Sequence, residues 1–247
     1  VPLYYVEYLV MRLHRFYVKQ PLGEELVVGS AIEDKELLHQ WTSVFRYSRG
    51  NEVILFSKHD LYDYTYFIEA ISKKEATLRF LSKTKNIQPH TNCTLYMALV
   101  KKDTFETIVR QATELGVSTI VPILADKSEK KNLNFERLQA IATEASEQSG
   151  RGTVPFIREI VTFKEAVTTV PKNLAVFGSL TGSSFETLKK KIRDESSTSV
   201  WIGPEGGWSQ QEEELARSHS FFDVKLTETT LKADTAATSL LSLVLVP

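Results

Sequence analysis

The spacing of apolar positions changes character once along this chain. Over residues 11–100, apolar, aromatic and β-branched side chains gather in short runs at 15–18, 44–48, 52–57, 62–71, 76–81 and 94–100. Runs of this kind predict strands. Residues 61–67 partly alternate, as a half-buried strand does, and Glu36, Leu37, Leu38 and Trp41 suit a short helix over 33–41. The pattern is that of a small β-barrel. Periodicity is lost over residues 82–91, which include Pro89, so a linker is expected there. From Leu95 onward the period lengthens. Phe105, Ile108, Val109, Ala112 and Leu115 share one helical face, opened by an Asp103–Glu106 box and closed by Gly116. Phe135, Leu138, Ile141, Ala142 and Ala145 make a second stripe. Boxes at Thr162–Glu165, Ser183–Glu186 and Ser209–Glu212 open three more helices. Strands are expected at 117–124, 174–177, 200–203 and 223–226. Such alternation predicts a parallel sheet covered by helices on both faces. Ligands of such sheets collect beyond the carboxyl ends of the strands, which selects residues 178–183, 203–209 and 227–234.

Composition narrows the chemistry. With 247 residues the chain has room for two domains. Lys and Arg number 30 against 31 Asp and Glu, which excludes a polybasic binder but not a local basic patch. Cys93 is the single cysteine, and the five histidines are scattered without metal-ligand spacing, so neither a disulfide nor a metal site is expected. The apolar stretch at 240–246 is broken by Ser242 and is far too short to span a bilayer. Residues 1–10 lack a basic start and do not read as a signal peptide. A cytoplasmic protein is expected, with Met11 as its natural start.

The most informative segment is Trp201-Ile202-Gly203-Pro204-Glu205-Gly206-Gly207-Trp208-Ser209. A buried strand runs into a glycine-proline turn, a double glycine and a capped helix. Gly206 and Gly207 permit positive φ and close approach of backbone to a ligand. No Gly-Lys-Ser/Thr follows, so a phosphate-binding P-loop is excluded. Gly178-Ser179-Leu180-Thr181-Gly182 has its serine one place early for a nucleophile elbow. Arg151 follows a helix that breaks at Gly150, where the sequence suggests a guanidinium presented to solvent beside two flexible residues.

Three blocks together resemble the signatures of the RsmE family: the glycine block at 202–209, Glu147-Gln148-Ser149-Gly150-Arg151 followed by Val154-Pro155, and residues 226–237. Met11-Arg12-Leu13-His14-Arg15-Phe16-Tyr17-Val18 resembles the family's opening, and residues 101–116 its first amphipathic helix. The resemblance covers nearly everything from Met11 onward. It implies an α/β fold in which a PUA-like RNA-binding β-barrel, residues 11–84, precedes a SPOUT domain, residues 92–247, with a mostly parallel sheet and a trefoil knot. The implied activity is methylation of N3 of one uridine in 16S rRNA of the small ribosomal subunit, with S-adenosyl-L-methionine as cofactor and a homodimer as the working unit. The cofactor loops would be Phe177, Gly178, Ser179 and Leu180; Ile202, Gly203, Pro204, Glu205, Gly206 and Gly207; and Leu226, Leu231, Thr235 and Ala236. Arg151, reaching from the partner subunit, would stabilise the negative charge that spreads over the uracil carbonyl oxygens.

The third block departs from the family. Thr227 stands where a glycine is usual, Lys232 replaces an arginine and loses its bidentate fork, and Asp234 replaces a glutamate. Lys232 and Asp234 are carried as catalytic candidates with Arg151. Arg12, Arg15, Arg46 and Arg49 are the expected RNA contacts of the barrel. The apolar helix at 236–246 is read as core or as a dimer face. Two rivals stay open: a SPOUT enzyme acting on a ribose 2′-hydroxyl, and an RNA-binding assembly protein that has lost catalysis.

Overall fold

The computed structural model describes residues 13–23, 30–32, 34–128, 132–170, 174–192 and 197–246, so Arg12 lies outside the described residues. The chain divides into two units, Val1–Asn86 and Ile87–Pro247.

In the first unit, β1 (Arg15–Tyr17), β2 (Ser30–Ile32), α1 (Lys35–His39), β3 (Glu52–Phe56), β4 (Tyr62–Ile71) and β5 (Ala76–Lys85) build a five-stranded sheet in the order β1-β3-β4-β5-β2. Among the described residues of this unit only the β1–β3 pairing is parallel. Alternation along β4 sends Tyr64, Tyr66 and Ile68 into a core with Phe16, Leu38, Trp41, Val53, Leu55 and Leu78. Two expectations are corrected here. Residues 44–48 are not a strand. α1 continues as a π-helical turn over Gln40–Val44, anchored by buried Trp41 and by Thr42 Oγ1 donating to the Leu38 carbonyl. Phe45 and Tyr47 then stack on each other and meet His14 and Phe16, with no ladder to join. The supposed linker is also partly strand, because β5 runs on through Lys85, paired with residues 62–65. Residues 81–85 are exposed, so burial of one face imposes no alternation on their sequence.

The second unit holds β6 (Asn92–Ala98), α2 (Lys102–Leu115), β7 (Thr119–Leu124), α3 (Phe135–Ser149), β8 (Phe156–Ile157), β9 (Val161–Thr162), α4 (Phe163–Thr169), β10 (Leu174–Ser183), α5 (Phe185–Ile192), β11 (Ser197–Ile202), α6 (Gln210–Ser218), β12 (Phe222–Val224) and α7 (Ala233–Leu245). The sheet order is β12-β10-β11-β6-β7-β8, with β9 beside β7, and every pairing is parallel. One core joins the sheet to Phe105 and Ile108 of α2, Leu138 of α3, Leu188 of α5, and Leu240 and Leu241 of α7. The other holds Phe163 and Val167 of α4, Ala216 of α6, and Phe177, Trp201, Trp208 and Phe221. The α/β class and the two covered faces are as the periodicity predicts.

Capping divides the predicted helix starts. The boxes at Thr162–Glu165 and Ser209–Glu212 form in both directions. The Asp103–Glu106 box does not: α2 opens at Lys101 with no side-chain cap, and Asp103 sits in its first turn. α5 begins at Phe185 with Ser183 still in β10, one residue later than a Ser183–Glu186 box requires. α2 ends at Gly116, which has φ 104°.

Strand β10 is longer than the predicted 174–177 because it slips register. Gly178 and Ser183 both pair with Val224, and the intervening residues loop out. That return brings two backbones into contact, since a Cβ on Gly182 would lie 2.5 Å from Asp223 C and Val224 N. Gly182→Ala is therefore expected to destabilise the second unit by roughly 1–3 kcal/mol, the usual cost of overpacking. A chemical-denaturation midpoint equal to that of the wild type would show that the crossing yields easily.

Candidate active site

The glycine block sits at the carboxyl end of β11, between that strand and α6. Its turn is closed by Gly207 N–H donating to the Pro204 carbonyl at 2.8 Å, with Gly207 at φ 68°. Positive φ is confined to Gly207 within this block, so Gly206 serves differently from its expected role. A Cβ on Gly206 would lie 3.2 Å from Lys127 Cβ, and one on Gly203 would lie 3.1 Å from the Trp208 indole. Both glycines make room for a neighbour.

Trp208 turns back from the loop onto β10. Its ring stacks on Phe177 with centroids 4.9 Å apart, and its Nε1 donates to the Gly178 carbonyl at 3.2 Å. Ser209 then caps α6, with Ser209 Oγ accepting from Glu212 N–H at 3.3 Å. Buried Glu212 uses both carboxylate oxygens: one accepts from Ser209 N–H at 2.8 Å, the other from Asp126 N–H at 2.9 Å. Ser209 Oγ donates to Asp126 Oδ2 at 2.5 Å. Lys127 Nζ donates to the carbonyls of Gly206 and Trp208 at 3.1 and 2.9 Å.

A cavity of about 290 Å³ opens among these loops. Of the predicted cofactor residues, Gly178, Ser179, Leu180, Ile202, Gly203, Pro204, Glu205, Gly206, Gly207, Leu226, Leu231 and Ala236 line it. Phe177 lies behind the wall, buried under Trp208, and Thr235 is an exposed residue of the first turn of α7 outside the lining. Trp208, Thr229, Thr230 and Ala233, inside the selected loops 203–209 and 227–234, line it too, whereas Lys127, Glu213 and Val224 lie outside every selected loop and were missed. Lys127 follows β7, whose end belongs to the same edge of the sheet. The rule that selected the other loops, applied to β7, would have found it.

Thr227 also lines the cavity. Its Oγ1 accepts from Thr229 N–H at 2.9 Å and donates to the Thr229 carbonyl at 2.7 Å. A hydroxyl thus closes the turn without positive φ, which removes the need for glycine there. Lys232 and Asp234 stand at the start of α7, next to lining residues Leu231 and Ala233 but not themselves in the wall.

Arg151 is elsewhere. The expected solvent-facing guanidinium is corrected: the residue is 6% exposed. Its Nη1 donates to the carbonyls of Thr113 and Val117 at 2.7 and 3.0 Å, and its Nε and Nη2 donate to Thr153 Oγ1. The Thr113 carbonyl is in the last turn of α2, where the helix dipole favours a cation, and Val117 follows the Gly116 cap. Burial pushes the Arg151 pKa down to about 10, which leaves it charged at neutral pH. Gly152 N–H pairs with the Ile87 carbonyl at 2.7 Å.

The expected RNA contacts also separate. Arg15 is not a surface cation: its Nε and Nη2 grip Asp63 at 2.7 and 2.8 Å, and its guanidinium lies 4.4 Å from the centre of the Phe56 ring. Arg46 and Arg49 are exposed. Among the described residues, no group of three or more His, Cys, Asp or Glu gathers as a metal site, and no helix is long and apolar enough to cross a membrane. Cys93 is buried with its pKa pushed up to about 12, the state of a neutral packing thiol.

The model of an RNA methyltransferase domain matches residues 87–245. Ribosomal RNA small subunit methyltransferase E of Aquifex aeolicus is 30% identical over 240 residues, 94% of this chain and 99% of that protein. The chain belongs to the RsmE family. Its Rickettsia conorii relative of the same name is 26% identical over 92% of this chain and 93% of its own length. Among solved structures, the Neisseria gonorrhoeae RsmE bound to S-adenosyl methionine matches with TM-score 0.80 at 26% identity, covering 93% of this chain and 95% of that one. A Legionella pneumophila methyltransferase, described as putative and in complex with the same cofactor, matches with TM-score 0.84 at 25% identity over 94% and 97%.

Within this RsmE chain, Arg151 satisfies two carbonyls that have little access to water. Arg151→Ala should lower stability by about 1–3 kcal/mol, because the buried Val117 carbonyl loses this donor and the Thr113 carbonyl keeps only its bond from Gly116 N–H. A urea midpoint matching the wild type, together with lost methyl transfer, would instead assign the guanidinium to the reaction.

Proposed function

We propose that this RsmE chain transfers a methyl group from S-adenosyl methionine to N3 of a specific uridine in 16S rRNA of the small ribosomal subunit, in the cytoplasm. Residues 11–84 would serve as the RNA-binding barrel and 92–247 as the methyltransferase domain. The observation that carries this reading is the cavity walled by glycine backbone at the ends of three parallel strands. Its residues suit the cofactor. Ile202, Leu226, Leu231, Ala233 and Ala236 offer an apolar wall for a base. Ser179, Thr229 and Thr230 bring hydroxyls, and the carboxylates of Glu205 and Glu213 favour a ligand that carries positive charge. When bound, the cofactor supplies an electrophilic methyl group on a sulfonium.

The chain must then handle a proton and a charge. Uracil N3 has to lose its hydrogen, and the resulting negative charge spreads onto the flanking carbonyl oxygens. Asp234, in the first turn of α7, is the proposed acceptor for that proton, and Lys232, the helix's N-cap residue, the proposed cation beside the oxygens. Arg151 is proposed to hold the segment after α3 against α2, since its donors are engaged there. Exposed Arg46 and Arg49 remain the proposed RNA contacts.

Incubation with labelled S-adenosyl methionine and small subunits lacking the modification should yield 3-methyluridine on nucleoside mapping. Label in a 2′-O-methyl nucleoside would move the reading to ribose methylation, and absence of cofactor binding in a titration would move it to a non-catalytic protein.

A homodimer belongs to the same proposal. Along α7 one side is core, with Ala237, Leu240, Leu241 and Val244 buried, while Leu243 and Leu245 are half-buried and Val246 is 57% exposed. Leu180, at the cavity mouth, is 62% exposed. Large aliphatics left open in this way suit a second subunit. Sedimentation equilibrium should give twice the 28.0 kDa chain mass; a concentration-independent monomer would overturn the dimer.

A further inference from the structure

The glycine block has little to hold itself in place. Among its backbone hydrogen bonds, one turn bond joins Gly207 to Pro204, and Gly203, Gly206 and Gly207 bring no side chains to anchor it. The anchoring comes from a turn about eighty residues away in sequence. That turn, at residues 125–128, is closed by Ser128 N–H on the Ala125 carbonyl at 3.0 Å and by Ala125 N–H on Ser128 Oγ at 3.2 Å. Two adjacent residues of the turn hold successive parts of the block. Asp126 holds the start of α6 through Ser209 and Glu212, and Lys127 holds the carbonyls of Gly206 and Trp208.

We infer that Lys127 is a positioning residue for cofactor binding, its ammonium fixing the glycine block in the shape that leaves the cavity open. Both ends of the side chain take part. The stem lies against Gly206, where a built Cβ would come within 3.2 Å of Lys127 Cβ and 3.3 Å of Cδ. The ammonium then bridges two carbonyls that flank Gly207, the residue of the block at positive φ. Two carbonyls on one cation are drawn together, which sets the curvature of the chain between them. The second carbonyl belongs to Trp208, whose indole is bonded to Gly178, so the same ammonium links the β11 loop to the β10 wall. Lys127 also lines the cavity itself. A neutral side chain of similar length would keep the stem contact and lose the bridge.

The inference rests on the methyltransferase reading above, and its test separates the two. Lys127→Met and Lys127→Arg are compared with the full-length wild type by calorimetric titration with S-adenosyl methionine, by steady-state kinetics on small subunits, and by thermal unfolding without cofactor. Lys127→Met should weaken cofactor binding roughly tenfold to a hundredfold, as expected for losing charge-assisted hydrogen bonds. KM for the cofactor should rise in step, while kcat at saturation and KM for the subunit stay near wild type. Lys127→Arg, which can still donate to both carbonyls, should recover most of the affinity. Wild-type affinity in Lys127→Met would overturn the inference. So would equal losses in cofactor binding, subunit KM and unfolding temperature, because they would mark a purely structural lysine. A wild-type protein that does not bind the cofactor would overturn the methyltransferase reading itself.

Discussion

The indole of Trp208 is the contact on which the cavity depends. It lies flat on Phe177 of β10, donates to the Gly178 carbonyl, and occupies the space that the missing Cβ of Gly203 leaves open. Its own carbonyl accepts from Lys127. One residue thereby ties together β10, the β11 loop and the turn that follows β7. A large aromatic suits this role, because it supplies broad dispersion contact and a single directed N–H from one rigid ring. The burial of Trp208 within the same core as Phe163, Trp201 and Phe221 means that the loops cannot open without exposing apolar surface.

That arrangement also explains the balance of charge. A wall made of glycine backbone, aliphatic side chains and hydroxyls needs few formal charges to recognise a nucleoside-like ligand. The ionic groups near it mostly support the wall. Glu212 joins the α6 start to Asp126, Lys127 bridges two carbonyls, and Glu213 pairs with Arg217 at 2.8 Å while also facing the cavity. A chain with near-equal acids and bases is therefore compatible with a specific site, and strong basic character is not required of its second unit.

What could be read from sequence follows from the range of the interactions. The stripe of α2 and the boxes of α4 and α6 are local, and they were legible because every partner lies within a few residues. So was the glycine block, whose chemistry is contained in consecutive residues. Arg151 and Arg15 were misread for the opposite reason. Apart from Thr153, which takes two donors of Arg151, their partners lie 34 to 48 residues away, at Thr113, Val117 and Asp63, and these distant contacts are what bury the two guanidinium groups. The contacts of Lys127 were hidden by the same logic, its acceptors being 79 and 81 residues distant, although its place after β7 follows from the strand-end rule. The tail of β5 was hidden because a strand exposed on both faces carries no hydrophobic period.

The three departures from the family pattern now separate by what each position must supply. At 227 the requirement is a closed turn, and a threonine hydroxyl meets it by bonding to Thr229, so loss of glycine costs no backbone strain. At 232 and 234 the proposed requirement is charge at the start of α7. Lys232 retains a cation without the planar fork of arginine, so it can neutralise an oxygen but cannot grip two at once. Asp234 retains a carboxylate on a shorter arm, and part of that carboxylate is already engaged, with Oδ1 accepting from Thr235 N–H at 2.8 Å. A shorter acid tied to its own helix reaches less far into the cavity than a glutamate would.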